Sequence, residues 1–171
     1  KAIHGGKVKN DKIDSKKIAA MLRGGMFPVA YVYPREMRSC RDLLRRRSFL
    51  VCKRSELSAH IQLTRMQYNL ISFEKKVRQY TASQTEITDR FKDPFVKKNV
   101  ETDLGIINYL DKIIYDLDLT ILKSARIHDR QSFEIIDSVY GVGDVLAMTI
   151  LYEIHSIGRF KRVQDFLSYS R

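Results

Sequence analysis

The stretch "VETDLGIINYLDKIIYDLDLTI", residues 100–121, repeats its apolar side chains every seven positions. Val100, Ile107, Ile114 and Ile121 form one series, and Leu110 and Leu117 fill companion positions three residues further on. This is the spacing that lets one helix bury a seam against another. Asp103 stands where a companion apolar residue would be, so the seam is interrupted near its start. The pattern predicts a helix over about 96–127. Upstream, neither Pro nor Gly occurs from Arg35 to about Tyr80, which predicts a second, very long helix. At 100° per residue, Met37, Leu43, Leu44, Leu50, Val51, Leu57 and Ile61 fall on one side of it, and Arg35, Arg38, Arg41 and Arg45 cluster on the opposite arc. The two helices imply an antiparallel hairpin or a coiled coil between two copies of the chain, since heptads do not distinguish the two.

Around this pair the elements are short. Residues 10–24 read as a helix that Asn10 or Asp11 can cap and Gly24-Gly25 stops. "MFPVAYVYP" reads as a strand or an extended strap. "SQTEITDRFKDPFVKKN" is a polar connection, with a turn expected around Phe91 and Phe95. A short helix over about 131–138 leads into "DSVYGVGDVLAMTILYEI", and "SIGRFKRVQDFLSYSR" closes the sequence. There is no internal repeat and no low-complexity segment.

The charge points to a polyanionic partner. Among 171 residues, 31 Lys and Arg against 20 Asp and Glu leave a net +11, and 44% hydrophobic residues argue against disorder. No window is apolar for long enough to span a membrane, and "KAIHGGKVKN" lacks the apolar core of a secretory signal, so a cytoplasmic location is expected. Cys40 and Cys52 share one expected helix, where roughly 18 Å of rise keeps them outside disulfide reach. The histidines at 4, 60, 128 and 155 pair with no cysteine at zinc spacing.

Three features carry candidate chemistry. Asp11 and Asp14, at i and i+3 on a helix, lie about 60° apart around the axis and about 4.5 Å along it, so both carboxylates can face one place. Two Mg²⁺ ions held by such oxygens can grip the attacking and leaving oxygens of an in-line phosphoryl displacement, and Lys9, Lys12, Lys16 and Lys17 would suit a polyanion. The same aspartates equally suit the macrodipole of a first helical turn. Next, Arg35, Arg38, Arg41, Arg45, Arg46 and Arg47 can track a phosphate backbone or simply form a solvated face. Positions 38–54 carry only Asp42 as countercharge. Finally, Gly141 and Gly143 in "VYGVGDVLAMTIL" let the backbone approach a phosphate at a helix start, as helix-hairpin-helix elements do, or form a tight connection capped by Asp144. Tyr152, His155, Ser168 and Ser170 receive no catalytic role.

In their order, "KNDKIDSKKIA", a long basic helical region and "IIDSVYGVGDVLAMTILYEIHSIGRFKRVQDFLSYS" resemble the DEDD-type insertion-sequence transposases, the family that includes the Piv invertases. That family carries a Lys-Thr/Asn-Asp-x-x-Asp-Ala/Ser string at the end of a ribonuclease-H-like (RuvC-like) domain, and a "PGIGPxxAxxLLxEIGDIxRF" string opening a second domain. The resemblance covers nearly the whole chain. It implies a mainly α segment: residues 1–33 as the tail of a RuvC-like domain, 34–128 as a coiled-coil region with a connection near 83–96, and 129–171 as the start of a second domain with a helix-hairpin-helix-like element. It further implies Mg²⁺-dependent DNA cleavage and rejoining, with Asp11 and Asp14 as the third and fourth acidic ligands. The charge pattern and the glycine turn themselves point Lys12, Lys16, Arg38, Arg41, Arg45, Arg46, Gly141 and Gly143 toward nucleic acid. The other acidic ligands are expected upstream of Lys1 and a serine nucleophile beyond Arg171, leaving this segment inactive alone. DNA, a homo-oligomer and, in some relatives, a structured guide RNA are the implied partners. The sequence departs from the family at Tyr140 and Asp144, where prolines are usual, and at His155-Ser156, where Gly-Asp is common. The competing expectation is a non-enzymatic nucleic-acid-binding coiled-coil adaptor.

Overall fold

The computed structural model describes residues 10–27, 30–73, 77 and 85–170, and the chain divides into two compact units, Lys1–Tyr33 and Pro34–Arg171. Among the described residues all regular structure is helical, and the described part of "MFPVAYVYP" forms no strand.

In the first unit, helix α1 spans Asp11–Arg23. Asn10 is its N-cap, and its side-chain oxygen accepts the Lys12 amide at 2.9 Å, so neither aspartate does the capping. The helix ends in a Schellman motif. Gly25, at φ +64°, donates to the Leu22 carbonyl and Met26 to that of Met21. No described residue of α1 is buried, and Ile13, Ile18 and Leu22 are exposed.

The second unit is built on helices α2 (Arg35–Gln67) and α4 (Pro94–His128), with the four-residue α3 (Thr85–Thr88) between them. At 1.5 Å per residue each long helix reaches roughly 50 Å. They pack against each other within one chain as an antiparallel hairpin. The register is visible in the cross-links. Arg47 meets Asp118 and Arg54 meets Asp111, so a seven-residue step down α2 matches a seven-residue step back along α4. Near the next step, beside Ile61 and Leu104, His60 Nδ1 lies 2.6 Å from Asp103, and the polar residue interrupting the α4 seam thereby finds its partner. Arg47 and Arg54 share a heptad position with the buried Cys40 and Ile61. Two arginines therefore occupy the seam itself.

The predicted extent of α2, to about residue 80, is corrected: the helix stops at Gln67. Asn69 adopts φ +50° and donates to the Met66 carbonyl, and Leu70 donates to that of Arg65. This is the same Schellman arrangement, with Asn in the left-handed position that glycine usually fills. Leu70 then packs on a cluster of Ile61, Val77, Ile87, Phe91, Val100, Leu104 and Ile107 that closes this end of the hairpin. Each fully buried aliphatic side chain there contributes about 1.5–3 kcal/mol. Asp93 caps α4 through the Phe95 and Val96 amides, with Pro94 at the first helical position, two residues ahead of the predicted start.

At the other end Asp129 terminates α4 and caps α5 (Arg130–Asp137) through the Ser132 amide. Helix α6 (Asp144–Ile154) lies on α2, α4 and α5 and buries Ala147, Met148, Leu151 and Tyr152 on one face. A 3-10 turn at Ile157–Arg159 leads to α7 (Val163–Tyr169). No helix among the described residues is long and apolar enough to cross a membrane.

Candidate carboxylate pair and nucleic-acid interface

Asp11 and Asp14 project from the first turn of α1, Asp11 exposed and Asp14 half-buried, with Lys12 and Lys16 one turn apart on the same exposed helix. Among the described residues no group of three or more His, Cys, Asp or Glu is placed to hold a metal ion. A hard dication takes six or more oxygens, most often with several waters in the case of Mg²⁺. The donor chemistry of the pair therefore fits a share of such a site and not the whole of it.

The arginines of α2 divide into two sets. Arg47 donates to Asp118 through Nε at 2.7 Å and Nη2 at 3.2 Å, and the buried Arg54 donates to Asp111. These guanidiniums hold the hairpin together. Arg45 is likewise engaged, gripping Glu153 of α6 with Nε and Nη2, both at 2.7 Å. That bidentate contact holds the Glu153 carboxyl below the ordinary glutamate range and Arg45 above its own. Tyr169 donates its hydroxyl to the Glu153 carbonyl at 3.0 Å, adding α7 to the same junction. Arg41 is mostly covered, 3.8 Å from Asp42. The arc expected to face solvent is thus narrower than the spacing implied. Arg35, Arg38, Arg46 and Lys53 keep exposed side chains on it, with Asp42, Phe49 and Glu56 among them.

The turn between α5 and α6 holds Gly141 at φ +87°, which favours glycine, and Gly143 in extended backbone as the N-cap of α6. The capping role considered for Asp144 is corrected: it is the first helical residue, and no side chain caps α6. Beyond its chain neighbours, a Cβ added at either glycine would meet no atom within 4 Å, so there is open space beside both. Tyr140 beside it is fully exposed. Asp144 puts a carboxylate at the helix start, where a phosphate would otherwise be favoured.

Tyr152 is fully buried, 2.8 Å through its hydroxyl from His128 Nδ1, and serves packing. His155 has φ +62° and ψ −73°, and Ser156 donates to the Ile154 carbonyl at 2.9 Å across it, which makes a γ-turn at a residue other than glycine. Beside it, Ile135, Ile136, Ile150, Ile154 and Phe166 line an apolar groove of about 360 Å³, which the sequence reading did not anticipate. Cys40 is buried, Cys52 exposed, and both are free thiols.

The chain matches no protein-family model, no curated protein and no solved structure. The likeness to DEDD-type transposases therefore stands on the quoted strings.

Proposed function

We propose that this chain is the helical portion of a DNA transposase or site-specific recombinase of the DEDD type, in which α1 supplies two carboxylates of the catalytic centre and α2 holds DNA. The observation that carries the reading is the first turn of α1. Asn10 takes the capping role, which leaves Asp11 and Asp14, three residues apart in the first turn of a lysine-rich helix, without it. Mg²⁺, when bound, supplies positive charge to the attacking and leaving oxygens of a phosphodiester. Asp11 and Asp14 would hold it together with acidic residues outside these 171, and Lys12 and Lys16 would draw the strand toward them.

On α2, Arg35, Arg38 and Arg46 supply exposed cations that neutralise backbone phosphates, while Arg45, Arg47 and Arg54 fix the helix that presents them. The open α5–α6 turn, with Gly141 and Gly143, would give a second backbone contact of the helix-hairpin-helix kind. Self-association, a structured guide RNA as a further partner, and a cytoplasmic setting belong to the same proposal.

A second reading is a non-enzymatic nucleic-acid-binding coiled-coil adaptor, whose scaffold would be the α2–α4 hairpin closed within a single chain. The two separate in the longest natural reading frame that carries this sequence. Asp11→Asn and Asp14→Asn together are expected to lower Mg²⁺-dependent cleavage of end-labelled DNA about 100-fold or more while DNA binding persists. Undiminished cleavage would refute the carboxylate role, and DNA binding without any cleavage by the unaltered protein would select the adaptor.

A further inference from the structure

Phe49 lies near the middle of the exposed arc of α2, with almost half of its surface in water. The Arg46 guanidinium stands 5.5 Å from its ring centroid and the Lys53 ammonium 5.6 Å, one turn before it and one turn after. The same arc continues through Arg38 to Arg35, with Asp42 and Glu56 as its acidic members. Lys53 shares its ammonium with Glu56 at 2.8 Å, an exposed pair that water and salt weaken. A single exposed phenyl ring needs no special account. A ring set between two cations within a positively charged stripe does invite one, because it offers an apolar face at the level where the cations meet phosphates.

From this arrangement we infer that Phe49 is a stacking platform for an unpaired base of a DNA strand whose backbone is held by Arg46, Lys53 and Arg38. The inference rests on the proposal that α2 holds DNA, and it narrows the form of DNA that α2 prefers. In a duplex the base faces are covered by their neighbours, so an outer helix meets chiefly phosphates and sugars. A phenyl ring makes no hydrogen bond to base edges, and its apolar contact there is limited to a thymine methyl, a smaller area than a stacked base offers. In a single strand each base has a π-face to offer, and a ring flanked by cations takes it whatever the sequence.

The chain contains no tryptophan, so Phe49→Trp creates its one indole reporter. Its emission is expected to be quenched by a short single-stranded oligodeoxynucleotide and to be little altered by a blunt duplex. Phe49→Leu, which keeps the helix and removes the aromatic face, should weaken single-strand binding by about 5- to 150-fold and leave duplex binding unchanged. Phe49→Tyr should restore it. Equal quenching by duplex, stronger quenching by the matching oligoribonucleotide, or emission that changes with protein concentration alone would each overturn the assignment. They would point instead to backbone contact, an RNA partner or a second copy of the chain. If no DNA of either form binds, the DNA-holding role of α2 falls as well. If DNA binds with steep salt dependence while the Phe49 variants behave alike, only the stacking role falls.

Discussion

Arg54, at a seam position of α2, donates to Asp111 of α4 from a side chain almost entirely removed from water. Together with Arg47 and Asp118 it places charge where a helical hairpin ordinarily places leucine. Such a pair adds little net stability over an apolar pair of the same size, but a slip of one heptad would set a buried guanidinium against an apolar residue. It thus holds the register. Arg54→Leu alone should cost about 3 kcal/mol in denaturant unfolding, and the double change with Asp111→Leu should recover most of it. Additive losses in the two single variants would show that the charges do not act as a pair.

The C-terminus of α2 gives a second expectation. Asn69 holds φ +50°. Asn69→Gly should keep or slightly raise the melting temperature, whereas Asn69→Val, branched at Cβ, should lose about 1–2 kcal/mol because it resists the left-handed region. Equal stability of the two would mean that the helix does not end by this motif.

His155 poses the same question at a sharper turn. With φ +62° and ψ −73° its backbone is strained, and His155→Gly should raise stability by about 1 kcal/mol, measured by thermal or urea unfolding. This is also a position where the resembled transposases commonly carry glycine. A loss of stability would show that contacts of the imidazole outweigh the strain.

The long-helix pair was legible because α4 declares its seam in aliphatic residues at seven-residue spacing. The end of α2 was not, because the stop is an asparagine and neither Pro nor Gly marks it. The seam of α2 was half hidden for a related reason: apolar periodicity cannot register Arg47 and Arg54 as inward positions until the matching aspartates are located across the hairpin. For the same reason Arg45 looked solvated, since Glu153 lies 108 positions away in sequence. The Asp11–Asp14 pair was visible from spacing, and what the fold added is that Asn10 performs the capping. Phe49 went unremarked among arginines because sequence spacing alone did not place its ring between two cations.

Acid should act on the junction of α2 with α6. Arg45 holds Glu153 below the ordinary glutamate range through a bidentate hydrogen bond. A carboxyl depressed in the folded state adds stability that is complete above its unfolded value and lost as pH falls through its folded value. Stability should therefore decline as pH drops below the ordinary glutamate range, and Glu153→Gln should flatten that decline while lowering stability at neutral pH. An unaltered acid limb in the variant would exclude Glu153 as a contributor.

The division of labour on α2 is tested most directly by the salt dependence of DNA affinity for the 171-residue chain. Replacing Arg35, Arg38 and Arg46 together by glutamine should reduce the slope of log affinity against log salt by about one per arginine. Arg47→Gln should instead lower the melting temperature and spare the slope. An outer triple variant with an unchanged slope would contradict the account, because the exposed arginines would then be meeting water and not phosphate.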